Sequence, residues 1–315
     1  MQENVKRCTI FPYHLPLFSE FSSSFLIVER RTPLKRSINA WTFPAEYTFE
    51  DCFRIARKAG FDAIEFNVDN KEKSAHSFSL ESTDAEIEAV AALAKKYGIE
   101  CPSVSTSLTA GLWAKSDAQS IERIRKIVEM QLKIAKGLGA DTILTVPGGM
   151  TDGMLLSEAR ANSIKNLKDF LPTVEKYGVK IGLENVWNAF FLSPYDMVSF
   201  IDELGSDMFG AYFDLGNMVA FSDTVHWADV LAEKTFKIHV KDYKRDSGVN
   251  RGGKFVQLLE GDVDFKRSMA ILKAKGFDGY LTAEVFKDDP EMSDIDYLAS
   301  IVEAEKVIQK YYDEA

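Results

Sequence analysis

The sequence is poor in the features that disulfide-stabilised, nucleic-acid-binding and membrane proteins need. Its 315 residues contain three cysteines without close spacing, so we expect no disulfide framework and a reducing cytosol as the compartment. Acidic residues outnumber basic ones by 48 to 38, and the formal net charge of -10 argues against a broad contact with nucleic-acid phosphates. No apolar run approaches the roughly 20 residues of a membrane span, so no membrane association is expected.

Strand-like and helix-like patterns alternate from Lys35 onward. The strand-like runs end near Trp41, Asn67, Ser105, Val146, Glu184, Asp214, Val240 and Glu284. The helix-like stretches are Glu46–Ala59, Thr83–Tyr97, Ser120–Leu138, Ser157–Tyr177, Pro194–Leu204, Trp227–Lys234, Phe265–Lys275 and Asp294–Tyr312. Eight β units with eight α units predict the α/β class and a single-domain (β/α)8 TIM barrel over residues 35–315. Residues 1–34 mix prolines with a serine run, and we expect them to form a poorly ordered N-terminal extension.

Four residues able to bind a metal lie where four consecutive predicted strands end. They are Glu184 in IGLE, Asp214 in AYFD, His239 in KIHV and Glu284 in LTAE. A charge at the end of an apolar run is costly unless something compensates it, and the strand ends of a barrel meet at one rim. Three carboxylates and one imidazole therefore predict a site for one divalent metal ion. The oxygen-rich set favours Mn²⁺, with Mg²⁺, Co²⁺ or Zn²⁺ as alternatives.

Four longer motifs surround these positions: GLENVWN from Gly182, YFDLGN from Tyr212, IHVKD from Ile238 and LEGDVD from Leu259. They resemble the xylose-isomerase-like sugar isomerase/epimerase barrels, and most of all the L-ribulose-5-phosphate 3-epimerase and hexulose-6-phosphate isomerase-like branch. The resemblance runs from about Lys35 to the C-terminus and is strongest between Gly182 and Glu284. It implies that the four residues hold one metal ion and that Glu184 and Glu284 also transfer protons.

The resemblance implies an isomerase or epimerase that converts a small ketose or ketose phosphate through a metal-stabilised cis-enediolate. One glutamate would remove the proton α to the carbonyl, and the other would return a proton to the opposite face or to the adjacent carbon. The main alternative is a metal-dependent lyase or dehydratase acting on a keto-sugar, an inosose or an oxidised glycoside. A three-zinc endonuclease of the same barrel needs more ligands than the four His of this chain supply, and a non-catalytic sugar binder needs no pair of proton carriers.

Further residues are candidates for contacts with the sugar. Asn185 and Asn217 follow metal ligands and are placed to bind hydroxyl groups, although asparagine also serves simply to form turns. Glu65 and Glu260 are expected to reach the mouth of the barrel, and Trp113 and Trp187 to wall it. The glycine-rich loop after His239 carries Lys241, Lys244 and Arg245, which we expect to close over a phosphate or carboxylate unless they are merely solvated. Family members commonly carry His three residues after the aspartate ligand, where this chain has Asn217. Homo-oligomer formation is compatible with the sequence.

Overall fold

The computed structural model describes residues 33–149 and 153–315, and within these ranges eight parallel strands close into a barrel. The order around the barrel is β1, β2, β3, β4, β5, β6, β7 and β10, each hydrogen-bonded to the next, with β10 closing on β1. Their bounds are β1 (Lys35–Asn39), β2 (Ala63–Asn67), β3 (Ser103–Ser105), β4 (Thr142–Thr145), β5 (Lys180–Glu184), β6 (Phe209–Asp214), β7 (Thr235–Val240) and β10 (Tyr280–Ala283). The predicted parallel barrel is confirmed. The extension predicted for residues 1–34 falls, except for its last two residues, outside the described residues.

Eight α-helices in the described ranges alternate with the barrel strands. They are α1 (Phe49–Ala59), α2 (Asp84–Tyr97), α3 (Ala118–Leu138), α4 (Leu156–Tyr177), α5 (Pro194–Leu204), α6 (Thr224–Leu231), α7 (Phe265–Ala274) and α8 (Asp294–Glu314). All eight predicted helices are present, with shifted ends where a side chain caps the first turn. Helix α1 begins after Thr48, whose hydroxyl accepts from the Asp51 N–H, and α6 begins after Asp223, which accepts from the Val225 N–H. None of the helices in the described ranges combines the length and the apolar character that a bilayer span requires.

The packing of the barrel leaves polar side chains inside its upper end. Apolar residues such as Ile64 and Phe66 on β2 are fully buried in the core, whereas Glu65 between them points inward. Asn39 on β1 and Ser103 on β3 both hydrogen-bond to the carboxylate of Glu65. Because side chains alternate along a strand, the residues that face the barrel axis near the strand ends form one polar layer. This layer lies under the candidate site.

An antiparallel hairpin follows β7, where the sequence predicted only a glycine-rich loop. Its strands are β8 (Asp242–Arg245) and β9 (Gly253–Val256). The buried carboxylate of Asp242 holds its base, because it accepts from the N–H groups of Tyr243, Gly261 and Val263. A Cβ at Gly261 would lie 2.0 Å from Asp242 Oδ1, so the close approach requires glycine at this position. The hairpin is thereby tied to the chain that leads into α7.

Candidate metal centre

The four residues predicted to bind a metal converge at the C-terminal ends of adjacent strands. Glu184 and Asp214 are the last residues of β5 and β6, His239 is the next-to-last residue of β7, and Glu284 directly follows β10. One ligand atom from each of the four lies within 4.8 Å of the others. All four side chains are buried, with at most 8% of the residue surface exposed. The predicted convergence is therefore confirmed by the geometry.

His239 stands at the centre of this group. Its Nδ1 lies 3.2 Å from Glu184 Oε1, 3.3 Å from Glu284 Oε2 and 4.0 Å from Asp214 Oδ2. Its Nε2 points the other way, 2.8 Å from Glu65 Oε1. Burial alone would lower the pKa of the His239 imidazole, but the surrounding carboxylates outweigh burial and hold that pKa well above its usual value. The centre therefore attracts positive charge.

Asp214 is held by its own strand end and by the neighbouring strand. Its Oδ1 accepts hydrogen bonds from the N–H groups of Gly216 at 2.8 Å and Asn217 at 2.7 Å. The side chain of Asn185 fixes the main chain of Asp214, donating to its carbonyl and accepting from its N–H. The other carboxylate oxygen, Oδ2, is buried and has no hydrogen-bond partner within the described part of the chain. A buried oxygen of this kind is suited to bind a cation.

Lys241 brings a positive charge to the edge of the centre. Its Nζ lies 2.7 Å from Glu284 Oε2 and, without hydrogen-bond geometry, 3.2 Å from Asp214 Oδ2. Burial acts to raise the pKa of Glu284, but the charges of Lys241 and His239 hold it below its usual value. Glu184 has no such contact with Lys241, and burial, together with its acidic neighbours, raises the pKa of its carboxyl. The two glutamates thus differ in their surroundings.

The donor set fits one divalent cation. Carboxylate oxygens and an imidazole nitrogen are ligands of Mn²⁺, Mg²⁺, Co²⁺ and Zn²⁺, and here they come close enough together to share one ion. Three carboxylates carry a charge of −3, which a dication and the Lys241 ammonium together balance to zero. The unpartnered Oδ2 of Asp214 is directed to the place where this charge is needed.

Three predicted sugar-binding residues are buried in the protein instead, which corrects their assignment. Glu65 has no exposed surface and uses both oxygens for protein donors, because it lies two residues below the end of β2. Asn185 is equally buried, and its amide binds the main chain of Asp214. Trp113 is 1% exposed and donates its indole N–H to Thr145 Oγ1 at 2.8 Å, so it packs beneath the rim and does not wall the mouth.

Three more predicted contacts lie away from the centre. Lys244 is paired with Asp262 at 2.8 Å. Arg245 donates to the carbonyls of Val219 and Ser222, so its guanidinium secures the hairpin to the preceding segment. Glu260 is exposed on the protein surface. Lys244 and Arg245 therefore contact protein groups in this structure, and their contact with a substrate anion stays a prediction.

Asn217, Trp187 and Lys241 do border the mouth. Asn217 donates its amide to the Asn185 carbonyl at 3.0 Å, and its Oδ1 lies 3.4 Å from Lys241 Nζ. Trp187 is 53% exposed, donates its indole N–H to the Asn217 carbonyl and stacks on Phe255 at 5.1 Å between ring centroids. Sequence reasoning missed Phe255, because it belongs to the unpredicted hairpin.

Two cavities share Phe286, and one of them reaches the centre. The first has about 300 Å³ and is lined by Lys241, Glu284, Phe255, Val256, Gln257, Val285, Phe286, Lys287 and Asp288. The second has about 330 Å³ and is lined by Trp41, Phe43, Ala45, Lys73, Ser74, His76, Ser107 and Phe286. Phe286 borders both cavities, and Glu284, two residues before it, connects the first to the metal ligands. A small molecule in the first cavity would contact a glutamate of the centre.

Comparison with known proteins matches residues 53–308 to a family described as xylose isomerase-like TIM barrel. The sequence is 26% identical to L-ribulose-5-phosphate 3-epimerase of Salmonella paratyphi A over 254 residues, which cover 79% of this chain and 86% of the relative. An uncharacterized protein of Methanocaldococcus jannaschii is 23% identical over 175 residues, 52% of this chain and 58% of its own length.

Solved structures share the fold. The IOLI protein with a bound zinc atom superposes with a TM-score of 0.74 at 17% identity, over 89% of this chain and 99% of that one. An L-ribulose 3-epimerase superposes with a TM-score of 0.70 at 19% identity, over 89% and 95% of the two chains. At these identities the likeness shows the fold alone.

Proposed function

Because the chain belongs to the xylose isomerase-like TIM barrel family, we propose that it is a divalent-metal-dependent isomerase or epimerase of a ketose or ketose phosphate. The observation that carries the proposal is the pair Glu184 and Glu284, which approach the same cation site from β5 and from the end of β10. Two carboxylates that reach one site from different strands are suited to contact a substrate from two sides. The 26% identity to an L-ribulose-5-phosphate 3-epimerase supports the sugar class.

Glu184, Asp214, His239 and Glu284 would hold the metal ion, with Mn²⁺ favoured and Mg²⁺, Co²⁺ or Zn²⁺ compatible with the same donors. When bound, the ion supplies Lewis-acid polarisation of the ketose carbonyl and compensates the negative charge of the enediolate. Asn185 and the N–H groups of Gly216 and Asn217 keep Asp214 in place for this role.

The surroundings of the two glutamates support different roles for them. Glu284 contacts the Lys241 ammonium and borders the first cavity, so we assign it the removal of the proton on the carbon next to the carbonyl. Glu184 forms no ion pair with a lysine among the described residues and is suited to carry a proton and to return it. Return to the opposite face of the same carbon gives the epimer, and return to the adjacent carbon moves the carbonyl. Lys241 is also placed to donate a hydrogen bond to a substrate oxygen at the cavity wall.

The first cavity and its aromatic border would receive the sugar. Phe255 and Phe286 offer apolar surface, and Trp187 is stacked on Phe255 at the exposed side. Gln257 and Lys241 add polar groups that can orient hydroxyl or phosphate oxygens. Closure of this space against water would strengthen the electrostatic contribution of Lys241 to the enediolate.

The proposal is tested by proton exchange from solvent. The protein is stripped of metal with a chelator, reloaded with Mn²⁺ and incubated in D₂O with L-ribulose 5-phosphate and with a set of unphosphorylated ketoses. We expect deuterium at the carbon next to the carbonyl of at least one ketose, together with its epimer or isomer. Glu284→Gln should abolish both, whereas Glu303→Gln, an exposed residue on α8, should not.

Two outcomes would contradict the proposal. Exchange accompanied by loss of water or of an aglycone would support the lyase alternative, which uses the same proton abstraction. Absence of exchange with every ketose, in protein shown to be folded and metal-loaded, would remove the isomerase and epimerase reactions together.

A further inference from the structure

Glu65 lies beneath the metal centre, at the bottom of the polar layer inside the barrel. Four donors converge on its fully buried carboxylate. Asn39 Nδ2 donates to Oε1 at 2.6 Å, and Ser103 Oγ donates to Oε2 at 2.5 Å. The Tyr212 hydroxyl also donates to Oε2, and His239 Nε2 lies 2.8 Å from Oε1. Glu65 is thus surrounded by protein groups and has no surface left for a substrate.

These contacts determine which ring nitrogen of His239 carries the proton. An ionised carboxylate can only accept hydrogen bonds, and Asn39, Ser103 and Tyr212 already present donors to it. The contact with His239 is therefore an Nε2–H donating to Glu65. In a neutral imidazole the lone pair then lies on Nδ1, which is the nitrogen that faces Glu184, Asp214 and Glu284.

The packing also fixes the plane of the ring. His239 is 1% exposed, and its ring lies against the Tyr212 ring, with centroids 4.6 Å apart. Tyr212 in turn binds the same Glu65 carboxylate, so the two side chains that contact His239 hold each other. Rotation of the imidazole would break the Nε2 contact and turn Nδ1 away from the three carboxylates.

We infer that Glu65 is a positioning residue of the metal centre: its carboxylate holds His239 as the Nε2–H tautomer, so that Nδ1 is free to bind the cation. The inference rests on the metal site of the proposed function but not on the sugar or the reaction. Ligand histidines are commonly held in this way by a second partner, and loss of that partner lowers metal affinity about tenfold to a hundredfold.

An amide cannot replace the carboxylate at this position. Glu65→Gln keeps the size and shape of the side chain but offers one acceptor oxygen and one NH₂ donor group. Four donors converge here, so at least one of them would face the NH₂ group. The His239 ring would then lose its fixed tautomer or its fixed plane.

The first experiment needs no variant of Glu65. Full-length protein labelled with ¹⁵N-histidine is loaded with diamagnetic Zn²⁺, and long-range ¹H–¹⁵N correlations report the protonated nitrogen of each ring. The His239 signals are identified by their loss in His239→Asn. We expect a proton on Nε2 and none on Nδ1. A proton on Nδ1 of His239 in the zinc-loaded protein would overturn the inference.

The second experiment measures Zn²⁺ affinity by competition with a chromophoric chelator. We expect Glu65→Gln to bind zinc about 10- to 100-fold more weakly than the wild type. Glu305→Gln is the matched control, since Glu305 is also fully buried but lies on α8, and it should stay within about twofold of the wild type. Zinc affinity of Glu65→Gln within twofold of the wild type would also overturn the inference.

Tyr212→Phe distinguishes the effect of Glu65 on His239 from the effect of Tyr212. It removes one donor and keeps the carboxylate and its contact with Nε2, so we expect the Nε2–H tautomer to persist and zinc affinity to fall less than in Glu65→Gln. A loss as large as that of Glu65→Gln with an unchanged tautomer would assign the role to the tyrosine instead. None of these experiments uses a sugar. Their results would therefore remain interpretable if the proposed reaction were not observed.

Discussion

Glu305 provides a quantitative test of how the barrel is covered by its last helix. It lies on α8, has no exposed surface, and neither carboxyl oxygen has a hydrogen-bond partner among the described residues. Burial raises the pKa of this carboxyl well above its usual 4.5, and the nearby Arg36 charge offsets the effect of burial only in part. The folded protein therefore keeps the Glu305 proton to a higher pH than the unfolded chain does.

The direction of the pH effect follows from this raised pKa. Between pH 4.5 and the folded-state pKa, the unfolded chain releases the Glu305 proton while the folded chain keeps it. The contribution of this group to the free energy of unfolding is thus complete below pH 4.5 and falls by about 1.4 kcal/mol per pH unit from there up to the folded-state pKa. Glu305→Gln removes the ionisable proton and hence this slope.

The assay is urea unfolding of wild type and Glu305→Gln at pH 5, 6 and 7 in the presence of a chelator. We expect the difference in unfolding free energy to shift in favour of the variant as the pH rises, by at most about 1.4 kcal/mol per pH unit. The control is Glu303→Gln, since Glu303 is an exposed neighbour on the same helix, and it should run parallel to the wild type. Parallel curves for Glu305→Gln and the wild type would refute the reasoning.

Two further predictions concern the mouth of the barrel. Lys241→Met leaves the carboxylates of the centre without their ammonium neighbour, so the metal-free protein should lose about 3–5 kcal/mol of stability. Calorimetry should then show that Mn²⁺ raises the Tm of the variant more than that of the wild type. An equal rise in Tm would contradict this prediction. Gly261→Ala places a Cβ 2.0 Å from Asp242 Oδ1, which should cost about 1–3 kcal/mol in chemical denaturation, whereas Gly98→Ala, where no atom lies within 4 Å of the added Cβ but φ is +62°, should show only the backbone cost.

The barrel and the four central ligands could be predicted because both depend on local patterns. Strand and helix periods alternate along the chain, and parallel strands in a closed barrel bring their C-terminal ends to one rim whatever the loops do. Glu184 and Asp214 end strands of a recognisable length, so their place at the rim follows from sequence position alone. Helices α1 to α5 end at the predicted residues, and each is followed by a glycine in the left-handed region.

The roles of the residues around the centre depend on how deep each side chain lies in the barrel and on partners that are distant in the sequence. Neither can be read from the sequence. Glu65 and His239 are 174 positions apart, and only the register of the strands shows that Glu65 lies below the rim. Lys244 and Arg245 look like free cations in the sequence, yet their partners come from other segments. The hairpin was missed because a glycine at positive φ, such as Gly252, is as compatible with the turn of a β-hairpin as with an irregular loop.

The short stretch from His239 to Asp242 constrains how this protein can change. It carries in succession a predicted metal ligand, the internal cation and the anchor of the hairpin, with only Val240 between the first two. A length change here would displace all three at once. The turn between Arg245 and Gly253 lies beyond these three residues, so its length can change without displacing them.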